Sequence, residues 1–299
     1  MPSLPQFPEF KPLEIADINP IRTILWNYQP QTSELTFTNL FIWRKHFNYH
    51  WCIFKNWLLI TCKSGSGFCA LEPVGPPPRE YPVRILFEWL QQNNTPNPGI
   101  TRADSRLCDE IKGISRFSSL PVREHFDYLY STQSLITLQG RHLHSKRNHL
   151  TKFQNSYSYS YKLITADLIS SCIDLATRWC KEEHCDHDPL LCDEWLAINE
   201  ILVMFDRLRI RGGAILIDNK LEAFTAGELL NQNTAVIHIE KANPHIHGLY
   251  TAINQMFCER EFSSTEFVNR EQDLGDEGLR KAKLSYHPVK LVEKYTIRL

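Results

Sequence analysis

The chain has 299 residues, of which 42% are hydrophobic and 11% aromatic, and its formal net charge is −1. This length predicts two domains of ordinary size, and the apolar content excludes a largely disordered chain. A net charge close to zero excludes a uniformly basic or acidic protein. An anionic partner can therefore be inferred only from local clusters of charge.

The first twelve residues are rich in proline and have neither a basic start nor an apolar run, so they are not a signal peptide. We predict a disordered tail over residues 1–12. No apolar stretch is long enough to span a membrane. Without a secretory signal, the nine cysteines predict reduced thiols. We therefore expect a cytoplasmic protein with no integral membrane segment.

The first half of the chain is predicted to contain a β-rich segment followed by helices. Residues 49–71 read as three strands, the first two joined at Lys55-Asn56, and Gly75 with three prolines then interrupts the chain. The other elements predicted in this half are helices at 81–92 and 105–111, a strand at 127–130 and a helix that ends by Gly140.

The second half repeats this mixture. A hairpin that turns at Asp218-Asn219 leads into a strand over Val236–Lys241. The whole pattern predicts a mixed α/β fold with flanking helices, divided into domains at 13–140 and 141–299. The other elements predicted in this half are helices at 141–154, 166–183, 190–207, 249–259 and 277–283, and strands at 157–164 and 265–270.

Local charge distinguishes the segment between Asp127 and Asp167. It contains no acidic residue, but it has five lysines and arginines and three histidines. Lys146 and Arg147 flank the apolar stripe of a predicted helix, and a cation that leaves water needs an anion. Together with Asn148, they are predicted to bind a phosphate-bearing ligand, such as nucleic acid or a lipid headgroup. The alternative is a solvated basic helix face.

The strand Val236–Lys241 carries the candidate catalytic residues. Alternation along the strand places His238 and Glu240 on the same face, where they could serve as general acid and base. The alternative is that they pair with each other or with Lys241, which is itself a candidate substrate-binding residue.

Two polar segments after this strand could line the same cleft. A glycine-bearing turn at Gly248 leads into a helix, and the free N–H groups of such a turn can hold a phosphate or carboxylate. The alternative for the second segment is an exposed loop joined by weak surface ion pairs. The further candidates from these segments are Tyr250, Asn254, Asn269, Arg270, Glu271, Lys281, Lys283 and Tyr286.

A metal site is not predicted. Cys180, His184, Cys185, His187 and Cys192 lie close together in the sequence, but their spacing matches no familiar zinc pattern. The sequence also contains no Walker loop, nucleophile elbow or dinucleotide fingerprint.

Four segments together resemble one known family: GRHLHSKRNHLTKF, AFTAGE, HIEKAN…HGLYTAIN and NREQDLGDEGLRKAKLSYHP. They resemble the soluble C-terminal domain of bacterial phosphatidylglycerol lysyltransferases and the stand-alone proteins related to it. The resemblance implies two tandem GNAT-like acyltransferase domains, an architecture shared with the Fem-type transferases. It also implies aminoacyl-tRNA as the donor, no required cofactor, and contact between the basic segment and the tRNA.

The resemblance suggests a role for each candidate. Glu240, helped by His238, would take the proton from the acceptor, while backbone N–H groups near Gly248 or the Tyr286 hydroxyl would stabilise the oxyanion. The acceptor or the amino group of the donor would be positioned by Asn269, Arg270 and Glu271.

Two features separate the chain from familiar relatives. It has no membrane-spanning domain, so phosphatidylglycerol is not the expected acceptor. Gly248 is followed by Leu249 and Tyr250, where acetyl-CoA-dependent GNAT enzymes place a second small residue, and this disfavours coenzyme A. The alternatives to an aminoacyltransferase are an acetyl-CoA-dependent N-acetyltransferase and a non-catalytic RNA-binding module of the same fold.

Overall fold

The computed structural model describes residues 4–64, 67–182 and 189–299. The chain divides into two compact units. The first comprises residues 1–127 together with 292–299, and the second comprises residues 128–291.

The described residues contain short strands distributed over both units. In chain order they are β1 (Lys11–Pro12), β2 (His50–Phe54), β3 (Trp57–Ser64), β4 (Gly67–Ala70), β5 (Gly99–Ala103), β6 (Ser118–Pro121), β7 (Asp127–Ser131), β8 (Tyr159–Leu163), β9 (Arg211–Ile217), β10 (Lys220–Leu229), β11 (Thr234–Ala242), β12 (Phe267–Asn269), β13 (Lys290–Val292) and β14 (Tyr295–Arg298).

The α-helices lie between these strands, singly or in groups of two or three. They are α1 (Ile18–Tyr28), α2 (Phe37–Ile42), α3 (Arg44–Phe47), α4 (Glu80–Gln92), α5 (Ser105–Ile111), α6 (Thr132–Thr137), α7 (His144–Ser156), α8 (Ala166–Glu182), α9 (Pro189–Val203), α10 (Phe205–Leu208), α11 (Leu249–Glu261) and α12 (Glu277–Leu284). Short 3-10 helices cover Ile15–Asp17, Arg123–His125 and Arg141–Leu143.

The first unit is built on a sheet with the strand order β1-β2-β3-β4-β5-β14-β6. One face of this sheet packs against α4 and α5, where Val83, Phe87 and Leu107 are buried. The Asp104 carboxylate caps α5 by accepting a hydrogen bond from the Leu107 N–H at 3.0 Å. The predicted helices at 81–92 and 105–111 are therefore present, and each has its apolar side toward the sheet.

The N-terminal segment differs from the predicted disordered tail. Phe7 donates a backbone hydrogen bond to Ile53 at 2.9 Å, and its ring packs against Phe54 at a centroid distance of 5.3 Å. Lys11 and Pro12 then form β1, which pairs with β2. Aromatic packing and edge-strand pairing hold this proline-rich segment in place from residue 4 onward, while residues 1–3 lie outside the described residues.

The division between the units also differs from the predicted boundary at residues 140 and 141. β7 pairs with β12 in the second sheet, so the segment just before Gly140 belongs to the second unit. β14, at the end of the chain, pairs with β5 and β6 in the first sheet. These pairings join strands that are far apart in sequence, so local sequence patterns do not reveal them.

Two cysteines form a disulfide where the composition predicts reduced thiols. Cys62 on β3 and Cys69 on β4 are cross-strand partners with Cα atoms 5.0 Å apart, and their sulfur atoms are bonded. Their position on paired strands makes the bond geometrically accessible.

The second unit is built on a sheet with the strand order β13-β7-β12-β11-β10-β9-β8. α11 packs across one face, and from Leu249 to Cys258 every residue of this helix except Tyr250 is buried. β11 and β12 are parallel and pair as far as Val236 and Asn269. β11 then continues to Ala242, beyond the end of β12.

Candidate functional site

A β-bulge interrupts the strand that carries the two predicted catalytic residues. The register between β10 and β11 pairs Ala226 with Ile239 and Gly227 with Ile237, so His238 is an extra residue on β11. Such an insertion breaks the two-residue alternation of the strand.

The bulge places His238 and Glu240 in different surroundings. Ile237 packs in the cluster that contains Phe257 of α11. Glu240, three residues later, contacts Asn254 of the same helix. His238 instead bonds to carboxylates outside α11. The prediction that His238 and Glu240 share a face is therefore wrong, because the extra residue shifts one of them to the other side.

Glu240 is held by two donors. The Asn254 Nδ2 atom donates to Oε2 at 2.8 Å, and the Arg270 Nη2 atom donates to Oε1 at 2.9 Å. The Glu240 and Arg270 side chains are 12% and 13% exposed. An amide and a guanidinium therefore hold the two oxygens of this mostly buried carboxylate in place.

Lys146 and Arg270 lie against the same aromatic ring. The Lys146 ammonium is 4.1 Å from the ring centroid of Tyr286, and the Arg270 guanidinium carbon is 4.9 Å from it. Burial and then the charge of Arg270 lower the pKa of Lys146, and the carboxylate of Glu240 opposes them. Two cations thus lie on one ring, and Arg270 is the one paired with the carboxylate of Glu240.

Two polar atoms in this cluster are buried without a hydrogen-bond partner in the described structure: Nη1 of Arg270 and Oδ1 of Asn254. Lys146 likewise makes no ion pair with any described residue. Nη1 is a donor and Oδ1 an acceptor, and an unsatisfied buried donor beside excess positive charge is typical of a site that receives an anionic or carbonyl-bearing ligand.

Tyr286 contributes its ring to this cluster, while its hydroxyl is already bonded. The hydroxyl donates to the Thr251 Oγ1 atom on α11 at 3.2 Å. Burial raises the pKa of Tyr286 although Arg270 opposes it, so the hydroxyl stays protonated. Its predicted role as an oxyanion donor would require this bond to Thr251 to be exchanged.

His238 is fully buried between two carboxylates. Its Nδ1 atom is 2.8 Å from Glu271 Oε1, and its Nε2 atom is 3.1 Å from Glu228 Oε1. Burial alone would lower the pKa of His238, but the bonds to Glu228 and Glu271 outweigh burial and raise it to about 9. This direction favours the protonated imidazole at neutral pH, which argues against the predicted role of His238 as a base.

Three further predicted residues build the loop that follows β12. The Asn269 Oδ1 atom accepts a hydrogen bond from the Glu271 N–H at 2.8 Å. The Lys283 ammonium donates to the carbonyl of Arg270 at 2.7 Å, to that of Glu271 at 3.2 Å and to that of Gln272. Glu271 has a left-handed φ of 54°. These bonds fix the backbone of the loop, in which Arg270 bonds to Glu240 and Glu271 bonds to His238.

Arg147 and Lys241 have structural partners instead of an open site. Arg147 donates to the carbonyls of Leu138 and Gly140 and so fixes the connection that precedes α7. Lys241 is buried, with its ammonium 2.9 Å from the Glu194 carboxylate and 3.2 Å from the ring centroid of Trp179. The side-chain direction along β11 places Lys241 opposite Glu240.

Four other predicted residues lie outside the cluster. Gly248 begins α11 with φ of 82°, and a Cβ there would collide with the backbone of α7 at His149. Gly248 is thus required for helix packing. Tyr250 is 37% exposed on the first turn of α11, and Asn148 and Lys281 are exposed on α7 and α12.

Sequence reasoning missed Glu228 and Thr251. Glu228 lies in the hairpin partner of β11, and a hairpin register would have placed it beside this strand. Thr251 follows Tyr250 in the first turn of α11, and no local pattern marks it as the partner of Tyr286.

Comparison with known sequences identifies the family. Residues 27–298 match the family model described as phosphatidylglycerol lysyltransferase, C-terminal. The chain belongs to this family. The resemblance seen in the four sequence segments is thereby confirmed.

Solved structures show the same fold. A conserved protein of unknown function from Bacteroides thetaiotaomicron is 34% identical, with a TM-score of 0.92 over 99% of this chain and 100% of that one. The C-terminal domain of a putative lysylphosphatidylglycerol synthetase from Agrobacterium fabrum is 12% identical, with a TM-score of 0.68 over 95% of this chain and 92% of that one. The predicted fold class, a mixed α/β pair of GNAT-like units, is confirmed.

One curated relative is an uncharacterised protein from Mycoplasmoides gallisepticum, 23% identical over 182 residues. The match covers 58% of this chain and 56% of that protein, so it spans little more than half of the relative's length. The matched family is named for a transferase, and the chain has the mixed α/β fold of that family.

Two sequence predictions concern membranes and metals. Within the described ranges, no helix is both long and apolar enough to cross a membrane. The cysteine and histidine cluster considered as a zinc site falls partly on residues 183–188, which lie outside the described residues.

Proposed function

We propose that the second unit transfers an acyl group, supplied as the aminoacyl ester of a tRNA, to an amine or hydroxyl acceptor. The family and the GNAT-like fold support a transferase. The observation that carries the proposal is the cluster in which Lys146 and Arg270 lie on the ring of Tyr286, with Arg270 paired to the carboxylate of Glu240. A phosphate of the donor would balance the remaining positive charge.

Each group in the cluster has a distinct proposed task. Lys146 would bind a phosphate near the acceptor end of the tRNA, since no described residue pairs with its ammonium. The unpartnered Nη1 atom of Arg270 would donate to the ester carbonyl oxygen as negative charge develops there. Glu240 would accept the proton of the attacking group. Asn254 would hold the Glu240 carboxylate in position through the bond between them.

The proposed reaction is a simple acyl exchange. The acceptor nitrogen or oxygen attacks the ester carbonyl carbon, and a new amide or ester bond forms. The bond between that carbon and the ribose oxygen then breaks. The proton lost by the acceptor passes to Glu240 and from there to the leaving ribose oxygen, so no additional reactant is consumed.

Acetyl coenzyme A is the alternative donor, and one observation favours it. β11 extends to Ala242, but its pairing with β12 ends at Val236. The backbone of residues 237–242 is therefore not paired with β12 along this edge. Such an edge can receive a chain with amide groups through strand-like hydrogen bonds.

The test is transfer of radiolabelled amino acids from a mixture of charged tRNAs by the full-length chain. The acceptors offered are small amines, peptides and vesicles that contain phosphatidylglycerol. Lys146→Ala should weaken donor use by about tenfold to a hundredfold, the effect of losing one charge-assisted contact. Lys290→Ala is the matched control, because Lys290 is exposed in the same unit and lies outside the basic segment. Lack of transfer to every acceptor would refute the proposal. Transfer by Lys146→Ala at the rate of the control variant would also refute it.

Binding assays separate the alternatives. Charged tRNA should bind more tightly than uncharged tRNA, and its binding should weaken as salt increases. Saturable binding of acetyl coenzyme A without any preference for charged tRNA would instead support the N-acetyltransferase. Equal binding of charged and uncharged tRNA without transfer would support the RNA-binding module.

A further inference from the structure

A cavity of about 620 Å³ lies within the first unit, on the face of its sheet opposite the hydrophobic core. Ala70, Ile100 and Ile297 point into the core against α4 and α5. Their neighbours Thr101 and Thr296 line the cavity instead, as expected for alternating residues of a strand. Its volume is within the range of roughly 300–1,000 Å³ found for small-molecule sites.

The cavity wall combines positive charge with aromatic surface. No acidic side chain lines it among the described residues. Three cations, Lys63, Arg102 and Arg298, and the aromatic residues Phe47 and Tyr49 do. Phe68 also borders the cavity, but its ring packs against Trp89 on the side of the hydrophobic core.

Arg102 is directed into this wall by an irregular backbone. The register between β5 and β14 pairs Ala103 with Tyr295 and Ile100 with Ile297, which leaves one extra residue on β5. Arg102 has a left-handed φ of 58°, a conformation that a side chain other than glycine adopts at a cost. Bulges of this kind commonly redirect a side chain toward a functional site.

The charge of Arg102 is balanced by a buried carboxylate next to the cavity wall, whereas the outer part of the wall is positive. Arg102 is 3.1 Å from the Glu34 carboxylate, and Lys294 contacts both Glu34 and Asp127 at 2.6 Å. This group therefore holds two cations and two carboxylates. Arg298 donates to the neutral carbonyl of Asn97 and pairs with no carboxylate among the described residues.

His125 adds an unsatisfied polar atom to the wall. Its Nδ1 atom is buried and has no hydrogen-bond partner in the described structure. Burial, and then the charges of Arg102 and Lys294, lower the pKa of His125 to about 4. The neutral imidazole is thus available to hydrogen-bond with a ligand in the cavity.

We infer that this cavity binds a phosphate monoester that carries an aromatic ring. Its phosphate would meet Arg298, Lys63 and the free edge of Arg102, because a guanidinium matches the geometry of a phosphate. Its ring would pack against Phe47 and the neighbouring aromatic side chains. The site is separate from the cluster around Glu240 and does not depend on the proposed transfer reaction.

The test is isothermal titration of the full-length chain with phenyl phosphate, inorganic phosphate and phenol. Phenyl phosphate is expected to bind at one site, at least about tenfold more tightly than either fragment. Arg298→Ala and Lys63→Ala should each weaken this binding by about tenfold or more, since each removes a charge-assisted contact. The control is Lys112→Ala, because Lys112 is exposed in the same unit and does not line the cavity.

Three results would overturn the inference. They are no saturable binding of phenyl phosphate up to about 10 mM, binding that both wall variants retain, and equal binding of phenyl phosphate and inorganic phosphate. The titration requires no acyl transfer, so it can fail while the proposed function stands, and the reverse also holds.

Discussion

The folding stability of this protein should depend on pH through the buried cluster of His238, Glu228 and Glu271. The pKa of His238 rises from 6.5 to about 9 in the folded chain, even though burial opposes the change. The folded chain therefore binds a proton more tightly than the unfolded chain between these two values. This contribution to stability is fully present below pH 6.5 and is lost as the pH rises through about 9.

The size of the effect follows from the same two values. Each pKa unit corresponds to about 1.4 kcal/mol, so a rise from 6.5 to about 9 corresponds to about 3 kcal/mol. The His238 side chain is 0% exposed, so water does not screen its contacts with the two carboxylates.

Urea denaturation of the full-length chain at pH 6, 7.5 and 9 measures this contribution. His238→Gln removes the titrating group, and His144→Gln is the control, because His144 is exposed on α7. The difference in unfolding free energy between wild type and His238→Gln should shrink by most of about 3 kcal/mol from pH 6 to pH 9. A difference that stays constant, or that grows as the pH rises, would refute the reasoning.

Two further substitutions test positions that the structure assigns to packing. Gly248→Ala should lower the free energy of unfolding by roughly 1–3 kcal/mol in calorimetry, because a Cβ at φ 82° meets the His149 backbone; an unchanged value would contradict this close packing. Arg147→Ala should lower it by about 1–3 kcal/mol in urea denaturation through loss of its two carbonyl contacts. Donor binding by Arg147→Ala, measured by fluorescence anisotropy, should stay at the wild-type level, and a loss as large as that of Lys146→Ala would assign Arg147 to the site.

The sequence predicts local elements well where apolar spacing is regular. Val83, Phe87 and Leu90 have helical spacing, and all three are buried on α4. β14 could not be placed in the same way, because its partners β5 and β6 are distant in sequence and strand pairing leaves no local signal. The division of the chain into units followed from that pairing.

In the candidate site, the sequence pattern predicts some side-chain positions correctly and misplaces another. Glu240, Asn254 and Arg270 were predicted, and the structure brings them into contact. His238 was assigned to the same face as Glu240 because a strand alternates with period two, and one inserted residue cancels that rule. Gly227, inside β10 at the register shift, is the sequence signal for this bulge, because an isolated glycine in a strand marks a bulge or a close backbone approach.

The sequence also could not show which of two adjacent cations on α7 faces the site. Lys146 and Arg147 both flank the apolar stripe of α7, so helical geometry alone does not show which of them binds a ligand. Only the course of the chain before α7 shows that backbone carbonyls occupy Arg147, whereas Lys146 lies beside Tyr286.

The most direct test of the proposed transferase site compares Glu240→Gln with the wild type in the transfer of amino acids from charged tRNA. Glu266→Gln is the matched control, because Glu266 is exposed in the same unit. Glu240→Gln keeps the shape of the side chain but removes the base, so the transfer rate should fall by about a hundredfold to ten-thousandfold while charged tRNA still binds. Glu266→Gln should transfer at the wild-type rate. Transfer by Glu240→Gln at the wild-type rate would contradict the assignment of Glu240 as the base.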